Sequence, residues 1–206
     1  MAVAMGVAFT LTWLFGTNNE QIRNENKTSE NKTEKAEQPA QAMETKAENA
    51  DVADDGIITA PLSGKAVKLE NVPDQTFAQG ILGLGAAIEP TEGKVVAPGD
   101  GKVETLFDTF HAVGLTLDNG KELLIHVGIN TVELKGEGFK AYVSEGDRVT
   151  KGQTLITFDM DFIKSKGYQT ITPVLVGNSD EFASVEELAE EGTEVTIGDK
   201  LIKVNA

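Results

Sequence analysis

The run VGLTL-DNG-KELLIHVG, residues 113–128, leaves little choice about what the chain around it can do. Two apolar stretches are separated by Asp118-Asn119-Gly120. Asn-Gly between apolar runs is the strongest short signal for a β-hairpin, because both central residues of a type I′ turn need positive φ. With Asn119 and Gly120 at the tip, Asp118 faces Lys121, Val113 faces His126 and His111 faces Gly128. His111 and His126, the chain's two histidines, then share one face as diagonal neighbours, roughly 7–8 Å apart at the backbone. A three-residue loop would change the parity and place them on opposite faces. Alternation along the strands puts Phe107 and Thr109 on the face of His111 and Leu124 beside His126. Leu123, Ile125 and Val127 point the other way, into a core.

Similar short apolar runs, punctuated by Gly and Pro, fill residues 57–206, as in KVVAPGDGKVETLF and RVTKGQTLITF. Their length and spacing predict an all-β fold, an antiparallel β-sandwich or barrel with one or two short helical turns. MDFIKSKG (160–167) reads as helix. SVEELAEEG (184–192) reads as a second short turn, with Ser184 as N-cap and Glu187 as the capping-box acid. ITAPLSGKAV (58–67) and VVAPGDGKVE (95–104) share A-P-x-x-G-K, and VSEGDRVTKGQTL (143–155) adds a further Gly-punctuated turn pattern. Two copies are too few for a solenoid and suit two pseudo-symmetric halves of one sandwich.

The remainder of the chain is of a different kind. Residues 1–16, MAVAMGVAFTLTWLFG, carry no charge and lack a basic n-region. They read as the last turns of a membrane helix, with Trp13 suited to the membrane–water interface. Residues 17–56 are rich in Asn, Glu, Lys, Thr and Ala, too polar to offset the entropy of ordering, and read as a flexible acidic linker. Such a tether reaches roughly 35 Å on average. The formal net charge of −15 disfavours nucleic acid and favours a partner with a basic patch. The absence of cysteine excludes disulfides, Cys-based zinc sites and a thiol nucleophile.

Two imidazoles and a hydroxyl on one face have a chemical use. A neutral imidazole is a nucleophile, and a second can donate hydrogen bonds to the oxygens of an incoming phosphoryl group. Phosphoryl transfer asks mainly for positioning and charge stabilisation, and an apolar surround excludes water that would hydrolyse the product. A catalytic zinc site would need a third protein ligand, and the sequence has neither H-x-H nor H-E-x-x-H. A biotinyl- or lipoyl-type carrier would present a lysine beside methionine, and no Met-Lys dipeptide occurs.

LLIHVGINTVELKGEGF, residues 123–139, closely resembles the active-site segment of glucose-type enzyme IIA domains of the bacterial phosphoenolpyruvate-dependent sugar phosphotransferase system. The resemblance extends over essentially all of 57–206. It implies an antiparallel β-sandwich with a duplicated hybrid motif, and no cofactor. It implies that His126 accepts a phosphoryl group through Nε2, that His111 steadies the phosphoryl oxygens, and that Thr109 bonds His111. The donor it implies is the phosphocarrier protein HPr, and the acceptor is a cysteine on a IIB domain, which this cysteine-free chain does not contain.

Positions matching the family's docking face are Phe77, Ile81, Leu82, Phe107 and Leu124, with Asp74 and Asp180 among its acids. Asn130 departs from the pattern, standing where H-x-G-I-D has its aspartate. That removes a carboxylate expected to meet an arginine on the donor. AFTLTWLFG resembles the closing helix of the membrane IIC domain of β-glucoside- and sucrose-type transporters, in which IIA often follows IIC. The expected location is therefore the cytoplasmic side, at the inner face of the membrane. Glucose-type IIA domains can also bind and regulate other proteins through the same apolar face.

Overall fold

The structure, a computed structural model, describes residues 55–206. The apolar segment 1–16 and the linker 17–56, save its last two residues, lie outside the described residues. Apolar residues at alternate positions, interrupted by Gly and Pro, give fourteen short strands in chain order. They are β1 (Ile57–Thr59), β2 (Gly64–Lys68), β3 (Leu84–Pro90), β4 (Lys94–Val96), β5 (Gly101–Leu106), β6 (Ala112–Leu117) and β7 (Glu122–His126). Then follow β8 (Phe139–Ala141), β9 (Arg148–Val149), β10 (Thr154–Phe158), β11 (Thr172–Val176), β12 (Ser184–Glu187), β13 (Glu194–Val195) and β14 (Lys200–Asn205). An eight-stranded sheet runs β13-β2-β3-β11-β7-β6-β5-β9, with two three-stranded sheets, β1-β14-β12 and β4-β10-β8. The named pairings are antiparallel, as expected for the β-sandwich class. Ile58, Ile88, Leu115, Ile125, Leu155, Ile156, Leu201 and Ile202 are sealed from solvent in one core.

The sequence echo is a structural repeat. Ala60 N donates to the Asp199 carbonyl at 2.7 Å and Gly198 N to the Ala60 carbonyl at 3.0 Å. In the other half Ala97 N donates to Gln153 at 2.9 Å and Gly152 N to Ala97 at 2.8 Å. Ala66 with Thr193 and Gly192 is likewise matched by Val103 with Asp147 and Gly146. RVTKGQTLITF therefore has its counterpart in EVTIGDKLIKV at 194–204, the copy that composition alone did not single out. Followed through the strand pairings, the repeat sets Leu84 against His111 and Leu175 against His126, so the imidazoles belong to one half only.

The hairpin register differs from the expected one. Ala112 pairs with His126, Val113 with Ile125 and Leu115 with Leu123. Leu117 N reaches the Lys121 carbonyl at 2.9 Å, and Gly120 N returns to Leu117 at 2.9 Å. The loop thus has three residues, and only Gly120, φ 81°, takes positive φ; Asn119 does not. This is a type I turn with an αL glycine closing the ladder, in place of type I′. Asp118 is held inside the loop by a bidentate pair with Arg148, 2.6 and 2.7 Å. Strict alternation would now separate the two histidines, yet they touch. The reason lies before β6. Residues 107–110 form a turn, closed by Phe110 N to the Phe107 carbonyl at 2.7 Å, and Phe110 has φ 55°. Alternation holds only in extended chain, so it does not run through His111.

Of the two helical readings, one holds. Met160–Ser165 forms α2, capped by the Asp159 side chain. Ser184–Glu187 is instead strand β12, paired with β14, because Val185 packs against the core and the Glu187 carboxylate accepts from Leu69 N at 2.8 Å. A further single helical turn, α1 (Gln75–Ala78), appears before β3. It was not expected from so short an apolar pattern.

Candidate active site

His126 closes β7, and its ring is half-buried. Nδ1 lies 2.8 Å from the Gly128 carbonyl. A carbonyl only accepts, so Nδ1 carries the proton and Nε2 of the neutral ring keeps its lone pair. The turn that aims this carbonyl needs Gly128. Its φ is 76°, and a Cβ there would lie 2.5 Å from Thr131 Cγ2 and 2.6 Å from the Gln169 carbonyl. Burial lowers the His126 pKa, against the opposing pull of the Gly128 carbonyl and the Asp74 carboxylate. The ring is therefore neutral at physiological pH.

His111 is 5% exposed, and its ring sits 4.8 Å from that of His126, edge to face. Thr109 Oγ1 lies 2.5 Å from His111 Nδ1. A hydroxyl that donates to Nδ1 leaves the His111 proton on Nε2, free to donate elsewhere. Burial, and then the neighbouring His126, press the His111 pKa down to about 4. Phe77, 5.0 Å from His126, and Phe107, 5.3 Å from His111, wall the pair. A nucleophilic nitrogen beside an N–H donor within an apolar wall can take a phosphoryl group and hold its oxygens. Among the described residues no three His, Cys, Asp or Glu side chains gather as a metal-ligating group.

The other expected positions divide. Ile81 (66% exposed), Leu82 (42%) and Phe107 (42%) present apolar surface, whereas Phe77 is 5% exposed and lies beneath His126. Leu124 is half-buried and lines a depression with Leu82, Glu104, Glu122 and Gly177. Asp74 caps α1, accepting from Thr76 N at 2.8 Å, and lies near enough to raise the His126 pKa. Asn130 is exposed with φ 59°, a left-handed conformation that Asn tolerates better than most residues. Asp180 is exposed on a 3-10 turn, Ser179–Glu181, after β11.

A family profile described as the phosphoenolpyruvate-dependent sugar phosphotransferase system, EIIA 1, matches residues 56–182. That match spans more than half of the chain. The chain belongs to the EIIA 1 family. A glucose-specific EIIA component of Halalkalibacterium halodurans is 50% identical over 137 residues, 66% of this chain and 79% of that protein. One from Staphylococcus aureus is 47% identical over 135 residues, 66% of this chain and 81% of its own length. Glucose permease IIA from Mycoplasma capricolum superimposes with a TM-score of 0.63 at 32% identity, covering 71% of this chain and 93% of that one.

As an EIIA protein the chain is a phosphoryl-relay component of a sugar phosphotransferase system. It takes a phosphoryl group on histidine from HPr and passes it toward a IIB/IIC partner. Two residues beside His126 were not predicted from the sequence. Val132, 46% exposed, adds an apolar side chain to the loop that follows His126. Gly128 was legible only as a Gly two residues after a histidine, and its carbonyl has no signature in side-chain chemistry.

Proposed function

We propose that His126 Nε2 is the phosphoryl acceptor of this relay, and that His111 and Thr109 brace the transferred group. The lone pair of Nε2 forms a new P–N bond as the bond to the donor's nitrogen breaks and the donor leaves with that electron pair. The proton stays on His126 Nδ1 throughout, donated in a hydrogen bond to the Gly128 carbonyl. His111, its Nδ1 turned to Thr109, offers Nε2–H to a phosphoryl oxygen. In onward transfer a cysteine thiolate of a IIB domain forms a P–S bond as the P–Nε2 bond breaks and its electron pair returns to His126. The observation that carries this reading is the Nδ1–Gly128 bond at 2.8 Å with the second imidazole 4.8 Å away.

Ile81, Leu82, Phe107 and Leu124 form the apolar docking face in this reading, with Phe77 supporting it from beneath. Asp74, Asn130 and Asp180 supply its polar contacts to a basic donor. The uncharged run 1–16 and the polar run 17–56 support a membrane IIC domain preceding EIIA, joined by a tether that raises its local concentration to about the millimolar range. Among the described residues no helix is long and apolar enough to cross a membrane. The relatives are named glucose-specific EIIA components, and the membrane domain proposed here is of the β-glucoside- and sucrose-type that AFTLTWLFG resembles.

Reconstitution with phosphoenolpyruvate, enzyme I and HPr tests the roles. His126→Gln takes up no label, whereas His111→Gln is labelled but passes the group on at least about a hundredfold more slowly. Normal labelling of His126→Gln refutes the assignment.

A further inference from the structure

We propose that Thr131 is a positioning residue for His126: its buried hydroxyl, by holding the Val127 carbonyl, fixes the loop that keeps the ring proton on Nδ1. The functional consequence rests on the reading of His126 as acceptor; the structural claim does not.

Thr131 is 0% exposed and opens the 3-10 turn Thr131–Leu134. Its Oγ1 donates to the Val127 carbonyl at 2.5 Å. A valine would fill the same space without a polar atom to satisfy, so the hydroxyl in so dry a place points to the bond it makes. Val127 also gives its N–H to the His111 carbonyl at 2.7 Å. The two backbone groups of one residue thus tie the His111 segment to the Thr131 turn. Between them, Ile129 N donates to the Gln169 carbonyl at 3.1 Å.

Gly128 lies inside this closed loop, its Cα packed so that an added Cβ would sit 2.5 Å from Thr131 Cγ2. With both flanking peptides pinned, the Gly128 carbonyl is left pointing at His126 Nδ1. That contact chooses the tautomer. Without it, the proton of a neutral imidazole distributes between both nitrogens, and the form with Nε2–H has no electron pair facing outward. A threonine five residues beyond the histidine therefore acts on the nucleophile through one backbone carbonyl.

The test uses the full chain with Thr131→Val and Thr131→Ser. Ring 15N chemical shifts of His126 are recorded without any donor, and phosphoryl uptake from HPr is measured separately. Thr131→Val is expected to raise Nε2–H from a minor form to a substantial share of the ring. It should slow uptake about tenfold, with the KM for HPr unchanged because the apolar face is untouched. Thr131→Ser, which keeps the hydroxyl, restores both. Wild-type shifts and rate in folded Thr131→Val overturn the proposal, and so does Thr131→Ser behaving like the valine variant. Should Thr131→Val fail to fold, wild type and Thr131→Ser carry the test: both must show a slowly exchanging hydroxyl proton at 131 and a ring protonated on Nδ1, and loss of either overturns it. Ring shifts that follow Thr131 while uptake does not would mark failure of the acceptor assignment instead.

Discussion

An imidazole attacks only through the nitrogen that has no proton, so the chemistry of His126 is decided by what lies on its other side. Here that is the carbonyl of Gly128, and the lowered pKa keeps the ring neutral where the relay works. Uptake from HPr should accordingly be flat with pH above about 6.5 and fall only below it, as His126 takes on a proton. The same residues leave a mark on stability. The folded pKa of His111 is about 4, below the 6.5 of the unfolded chain. Between these values the unfolded chain binds a proton that the folded one refuses, so stability is full above pH 6.5 and lost as pH falls toward 4. The loss has a ceiling of about 3 kcal/mol. Thermal unfolding between pH 5 and 6.5 should slope less steeply for His111→Gln than for wild type; equal slopes would count against the buried, neutral His111.

At the scale of the elements, the hairpin β6–β7 positions His126, and its tip is fastened from outside. Asn178, 8% exposed, accepts from Glu122 N at 3.0 Å and donates to the Gly120 carbonyl and to Glu181, each at 3.0 Å. Asn178→Ala leaves two backbone groups of the tip without this partner. It should cost about 1–3 kcal/mol and speed amide exchange at Glu122; a Tm within one degree of wild type would show that the tip holds itself. The hairpin also shows how far the sequence can be read. Leu123, Ile125 and Val127 were legible as core because period-two alternation follows from the pleat alone. Loop length was not, because Asp118 is drawn into the loop by Arg148, thirty residues away. Nor was the face of His111, which depends on the left-handed Phe110, a conformation that sequence does not announce for an aromatic residue. The histidines and Thr109 were found through their chemistry and the family motif, whereas Thr131 and Asn178 act through backbone groups and left no such trace.

For the whole molecule the account is one of a neutral, half-hidden nucleophile ringed by apolar surface on an acidic protein. A carrier of net charge −15 should meet a basic donor in a salt-sensitive way. Asn130 weakens that meeting in the present reading, since a charge-assisted hydrogen bond is roughly twice as strong as a neutral one. Asn130→Asp should tighten HPr binding severalfold at low salt, measured by titration calorimetry, with the gain shrinking as salt rises; unchanged affinity would remove Asn130 from the docking surface. The repeat that builds the fold leaves Leu84 and Leu175 at the positions matching His111 and His126, so the proposed acceptor assignment gives one phosphoryl group per chain. The decisive measurement is 31P–15N NMR of the 15N-labelled chain phosphorylated through enzyme I and HPr. The account predicts a single phosphoramidate, bonded to Nε2 of His126 with Nδ1 still protonated. Phosphorus on His111, on Nδ1 of His126 or on a non-histidine residue would contradict it.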